Sequence, residues 1–253
     1  MTTVCCFTAS GNSLYAARRI GETVLSIPQL MRRNEIAVSD DAVGIVCPVY
    51  AGEMPVMVRE FISRAKIRTP YFFFIYTYGM TYSAAFAQAK LAAESAGQQL
   101  SYINAVKMAD NYLPGFDIQK QLDTLPQKNI EGQIEKILAD LKERKQTEVP
   151  VTFLTKLQMK LIGKFMGERI LRRDAAREYI VSDSCIRCGI CAKVCPANNI
   201  TVTDRVTFSD RCEVCYACIH NCPQHAIRLK KEAGTLRFRN EHVSLKDIIS
   251  MNE

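Results

Sequence analysis

In the first part of the chain, short apolar runs alternate with stretches whose apolar positions recur every three or four residues. The runs at 3–8 (TVCCFT), 43–50 (VGIVCPVY), 71–79 (YFFFIYTYG) and 100–108 (LSYINAVKM) read as buried strands. Ser13 to Leu25, Pro55 to Ala65, Ser83 to Ala96 and Asn129 to Arg144 read as helices, and a short extra strand is expected near Gln29 to Arg32. Strands separated by helices predict an α/β fold, a doubly wound parallel sheet with helices on both faces.

Between Lys142 and Arg177 the pattern changes to ten basic against four acidic residues. Lys156, Lys160 and Lys164 recur every fourth position, and Leu154, Leu157, Leu161 and Phe165 make an apolar stripe. The segment therefore reads as an amphipathic linker helix (153–172) whose stripe packs on one of the domains. Contact with a membrane surface or docking of a partner is the alternative.

The third part is built on cysteine. Eight of the eleven cysteines lie between Cys185 and Cys222, in two copies offset by 27 residues: CIRCGICAKVCPANNI (185–200) and CEVCYACIHNCPQHAI (212–227). Each copy reads Cys-x2-Cys-x2-Cys-x3-Cys-Pro. Three cysteines at this spacing wrap three corners of a cubane iron–sulfur cluster, and the fourth reaches the cluster of the other copy. Cys185, Cys188, Cys191 and Cys222 are thus expected to hold one 4Fe–4S cluster, and Cys212, Cys215, Cys218 and Cys195 a second. Structural zinc uses Cys-x2-Cys pairs without a third cysteine two residues on, so it is the poorer reading. Gly189 is expected to give the first loop room for close approach of backbone to sulfide. The segment 178–231 resembles the bacterial two-cluster ferredoxins, which implies their pseudo-twofold fold with two short helices and small antiparallel strand pairs. Cys5, Cys6 and Cys47 lie in predicted strands and read as core residues. His220, His225 and His242 are scattered, the first two among the cluster ligands, and suggest no acid–base apparatus.

The turn Thr8-Ala-Ser-Gly-Asn-Ser13, between the first strand and the first helix, has the hydroxyls of a phosphate site. It has neither the lysine of a P-loop nor a Gly-x-Gly-x-x-Gly. It resembles the flavodoxin phosphate loop, Thr/Ser-x-Thr/Ser-Gly-x-Thr/Ser. That resemblance implies FMN, its phosphate held by Thr8, Ser10, Gly11, Asn12 and Ser13 at a helix N-terminus. The loops after the next two strands, PVYAG with Pro48, Tyr50 and Gly52, and TYG with Tyr78 and Gly79, would then border the isoalloxazine, Tyr50 and Tyr78 touching its faces. DNYLPG (110–115) would close over the site. With both cysteine repeats in order behind these loops, the whole chain resembles the flavodoxin–ferredoxin fusion proteins.

The expected organisation is 1–146 for the FMN domain, 147–177 for the linker helix, 178–231 for the cluster domain, and 232–253 for a polar, uninformative tail. The formal charge of +7 would suggest nucleic acid, but it counts every cysteine as neutral. Two oxidised clusters lower it to about +3, and the FMN phosphate to roughly +1, so nucleic-acid binding is not expected. MTTVCC lacks the basic start and apolar stretch of a secretory signal, so a cytoplasmic location is expected, where thiols stay reduced and a disulfide framework is not expected. The expected function is an electron relay between two 4Fe–4S clusters and FMN, served by a redox partner, a ferredoxin or a reductase. An FMN-dependent reductase of a small molecule or quinone, and a redox or iron sensor docking a partner through the basic helix, are the alternatives.

Overall fold

The computed structural model describes residues 1–82, 84–162 and 172–253. Its centre is a five-stranded parallel sheet built from β1 (Thr2–Cys6), β2 (Thr23–Ser26), β4 (Ala42–Pro48), β6 (Phe72–Tyr78) and β7 (Leu100–Lys107), in the order β2-β1-β4-β6-β7. From Ala42 to Cys47 and from Phe72 to Thr77 every residue is buried, as strands covered on both faces require. Around the sheet run α1 (Asn12–Ile20), α2 (Ile27–Met31), α3 (Val56–Arg64), α4 (Ala85–Ser95), α5 (Ile118–Asp123) and α6 (Ile130–Lys142). Helix α1 packs with α6, and α3 with α2 and α4. A separate parallel pair, β3 (Ala37–Ser39) with β5 (Lys66–Arg68), lies outside the main sheet.

Two local expectations fail near the first helix. Helix α1 stops at Ile20 instead of running to Leu25, because Gly21 turns to an extended conformation close against β1. A Cβ on Gly21 would stand 2.7 Å from Val4. The β-branched Thr23 and Val24 then pair with Thr3 and Val4 as β2. The stretch Gln29 to Arg32 is not a strand: Ser26 caps α2 by accepting from the Gln29 N–H, and Pro28 sits at the helix start, where its missing N–H does no harm.

The cysteine region has short antiparallel pairs, Ile200–Val202 with Val206–Phe208 and Ile180–Val181 with Ile227–Arg228. Two one-turn helices, Ile190–Lys193 and Ala217–His220, follow the cysteine loops. The sequence repeat is also a backbone repeat. Left-handed residues recur in register, Arg187 with Val214, Gly189 with Tyr216, and Asn198 with His225. A Cβ on Gly189 would meet no protein atom within 4 Å, and its φ of +79° lies in the left-handed region that favours glycine.

The tail contradicts its expectation. Phe238, Val243, Ile248 and Met251 are buried, and the helix Leu245–Ser250 starts with a reciprocal cap between Ser244 and Asp247. Its carbonyl end is satisfied from α2: Ser26 donates to the Met251 carbonyl, Gln29 to Ser250, and Arg32 to Asn252 and Glu253. Arg18 pairs with Asp247 and the ring of Tyr15 stacks on His242. Burying these four apolar side chains contributes about 1.5–3 kcal/mol each as an upper range. Residues 238–253 are therefore a clasp over the sheet edge near β2, not a free tail.

The linker also departs from its expectation. Of it, α7 (Phe153–Ile162) lies among the described residues, while Lys164 and Phe165 fall outside them. The stripe on α7 is not packed down: Phe153, Leu154, Leu157 and Leu161 are exposed. Among the described residues no helix is long and apolar enough to cross a membrane.

Candidate functional site

The carboxyl ends of β1, β4, β6 and β7 meet at a cavity of about 40 Å³. Thr8, Ser10, Asn12, Ser13, Pro48, Tyr50, Tyr78 and Gly79 line it, joined by Thr77, Asp110 and Asn111. Gly11 and Gly52 are not lining residues; both hold left-handed turns, with φ of +101° and +79°. Loop 77–82 lies tight against loop 109–111, since a Cβ on Gly79 would stand 2.2 Å from the Asp110 side chain.

The hydroxyls are buried, and their bonds leave protons available. Thr8 Oγ1 accepts from the Gly11 N–H at 3.2 Å, and Ser10 Oγ accepts from the Asn111 side chain. Each keeps its own O–H to donate. Ser13 and Thr77 share one bond at 2.7 Å, which leaves one further O–H between them. Helix α1 starts after Gly11 with no side-chain cap and no acid in its first turn, so the positive end of its dipole lies at this turn uncompensated by a carboxylate. Converging hydroxyls on an uncapped helix N-terminus, with no cation, fit a phosphate.

Sequence reasoning missed what encloses this loop. The Asn240 N–H donates to the Ser10 carbonyl at 2.8 Å, and the Asn240 side chain to Asn12 at 3.2 Å. A Cβ on Gly11 would meet Val243 at 2.9 Å, so only glycine admits the clasp there. Asn221 donates to the Ala9 carbonyl and His220 to the Asn111 carbonyl. The one legible signal was Ser244-x-x-Asp247, a capping pattern.

The four cysteines Cys185, Cys188, Cys191 and Cys222 line one small cavity, so the fourth residue of the second copy stands with the first three of the first. In the other set, burial pushes the Cys215 thiol well up, followed by the charges of Cys195 and Cys212. Four thiols crowded this way ionise together only against a cationic core, which fits the donor set to an iron–sulfur cluster. Backbone N–H groups of Asn199, Val214 and Ala226 donate to the sulfurs of Cys195, Cys212 and Cys222, each at 3.3 Å. Asn199 and Ala226 are again equivalent positions of the repeat. Cys5, Cys6 and Cys47 are fully buried, and burial raises the Cys5 thiol to about 12, in keeping with inert core residues.

The two sites share one interior. Cys215, Ala217 and Val194 belong to the same apolar cluster as the sheet, and Tyr50 packs against it. Tyr50 places its ring edge-on to Phe7, and its hydroxyl is buried without a hydrogen-bond partner among the described residues. Burial, then the charge of Cys215, raises its pKa well above the ordinary value, so it stays a hydroxyl. Glu213, beside Cys212, accepts from the Met57 N–H at 3.1 Å and faces Arg173, tying α3 to the second cysteine loop. His220 is buried, whereas His225 and His242 are exposed.

A family model described as "4Fe-4S binding domain" matches residues 178–201. Over 63 residues the chain is 33% identical to NADH-quinone oxidoreductase subunit I of Pelobacter propionicus, covering 19% of this chain and 34% of that protein. Over 48 residues it is 46% identical to a subunit of the ion-translocating oxidoreductase complex of Methanosarcina acetivorans, covering 18% of each. The match thus spans about a third and under a fifth of these curated relatives. Among solved structures it is similar to the Trp repressor binding protein from Bacillus subtilis, with a TM-score of 0.34 and 10% identity over 55% of this chain and 97% of that one. The C-terminal part of this chain therefore carries a 4Fe–4S ferredoxin-type domain, weakly similar to oxidoreductase subunits, beside a mixed α/β region with a parallel central sheet.

Proposed function

We propose that the chain is an iron–sulfur flavoprotein that relays electrons between two 4Fe–4S clusters and FMN. In this reading 1–146 is a flavodoxin-like FMN domain, 147–177 a basic linker, 178–231 the two-cluster domain, and 232–253 the clasp returning to the first domain. One observation carries it: His220 and Asn221, lying between Cys218 and Cys222, bond directly to the loops around the phosphate-like cavity.

Thr8, Ser10, Gly11, Asn12 and Ser13 hold the phosphate through hydroxyls and backbone N–H groups. Pro48, Tyr50, Gly52, Tyr78 and Gly79 border the ring. Cys185, Cys188, Cys191 and Cys222 hold one cluster, and Cys212, Cys215, Cys218 and Cys195 the other, with backbone N–H groups tuning their sulfurs. Bound FMN exchanges one or two electrons where each cluster exchanges one, so the pairing couples the two kinds of traffic. The continuous apolar interior excludes water between the sites, and the single chain holds them at high effective concentration. The relatives named as oxidoreductase subunits support a protein redox partner, a ferredoxin or a reductase. Oxygen-free purification followed by iron, sulfide and flavin analysis tests the reading. Zinc in place of iron, or no riboflavin phosphate after reconstitution, would end it.

A second cavity favours the reductase variant. It measures about 570 Å³, shares Tyr78, Gly79 and Asp110 with the first, and is bordered by Lys107, Phe116 and Lys128. That volume lies in the range of small-molecule sites. Stopped-flow reduction by a ferredoxin, followed by a screen of small oxidants, separates the two variants.

A further inference from the structure

Helix α7 is turned inside out. At about 100° per residue, Phe153, Leu154, Leu157 and Leu161 share one arc of its surface, and they are 80%, 74%, 43% and 48% exposed. Thr155 and Met159, on the opposite side, are the half-buried ones. A helix on a water-soluble surface does the reverse, packing its apolar stripe down. Lys156 and Lys160 run along one border of the exposed arc. Neither side chain has an ion-pair or hydrogen-bond partner among the described residues. Several basic neighbours in sequence are engaged by the protein's own acids: Lys145 with Asp140, Arg172 with Glu178, Arg173 with Glu60, and Arg177 with Asp210.

From these observations we infer that α7 docks the protein on an anionic lipid surface, lying in the plane of the headgroups. Phe153 and the three leucines enter the acyl boundary, while Lys156 and Lys160 stay at its rim against negative headgroups. An open row of single protruding side chains with lysines along one edge suits a fluid interface, which needs no matching groove. Four apolar side chains and two lysines give reversible, salt-sensitive attachment and not insertion. This inference rests on no cofactor.

The test uses the full-length protein and vesicles of phosphatidylcholine with and without phosphatidylglycerol. The chain has no tryptophan, so Phe153→Trp installs a unique fluorophore. Its emission shifts to the blue on anionic vesicles and returns when salt shortens the Debye length from about 10 Å to 3 Å. In sedimentation, Lys156→Gln and Lys160→Gln each lower partitioning about fivefold. Leu154→Ser with Leu157→Ser abolishes it, with iron content unchanged as the control for folding. Equal binding to neutral and anionic vesicles, no binding to either, or variants that bind like the parent each overturn the inference. So does capture of the helix by an acidic protein that vesicles fail to displace.

Discussion

The Nε2–H of His220 donates to the carbonyl of Asn111 at 2.9 Å, while its Nδ1 accepts from the Phe238 N–H at 3.1 Å. One neutral imidazole thus joins the helix behind Cys218, the loop after β7 and the start of the clasp. Burial holds its pKa down to about 4, so the ring is a fixed two-way connector at neutral pH. Replacing it with Phe leaves a buried carbonyl and a buried N–H unpaired, at about 1–3 kcal/mol each. We expect His220→Phe to weaken FMN binding in a fluorescence titration while iron content holds. Unchanged flavin affinity would separate the two sites.

Crossed ligation makes a sharper prediction. Because Cys222 stands in the cavity of Cys185, Cys188 and Cys191, Cys222→Ser should damage the same cluster as Cys188→Ser. Both variants should lose about half the iron and leave the same residual EPR signal. A residual signal matching that of Cys215→Ser instead would mean each copy ligates its own cluster.

The phosphate loop can be tested one hydroxyl at a time. Ser10→Ala removes a donor from a charged ligand, worth about 1.5–3 kcal/mol, so the FMN dissociation constant should rise at least tenfold. Gly79→Ala tests the neighbouring loop differently, since its Cβ would collide with Asp110. Its expected signature is lower thermal stability with or without flavin, read by calorimetry.

The clasp carries a defined pH dependence. Arg18 first, then Ser244, hold the Asp247 carboxyl well below the usual carboxylate range. A folded-state pKa below the unfolded one stabilises fully above about pH 4 and is lost as pH falls through the folded value. Changes between pH 5 and 8 should leave the clasp in place. At neutral pH, Asp247→Asn removes half of the cap and a partly exposed ion pair, about 1 kcal/mol together. Faster amide exchange over 245–250 is the readout, and unchanged exchange would count against the pairing.

How far these features were legible depends on the range of the forces involved. The buried strands and the cysteine repeat are local patterns of period and spacing, and both were readable. The end of α1 at Gly21 was not, because Gly21 answers to Val4 across the sheet and helical periodicity continues past it. The clasp escaped for a related reason: its buried residues, Phe238, Val243, Ile248 and Met251, are spaced among polar ones, and their partners lie at the other end of the chain. For α7 the pattern showed that one face is apolar but not which way it points. Burial of Thr155 and Met159 decides that, and no local pattern encodes it.

The hydrogen bond from Asn240 to Asn12 spans 228 positions of sequence. Ribosomes add about 5–20 residues each second, so the turn at 8–13 waits roughly ten to fifty seconds for this support. During that interval β1, α1 and β4 are already free to pair, while the rim of the turn stays open to solvent. Enclosure of the turn at 8–13 is thus placed late in biogenesis by chain connectivity.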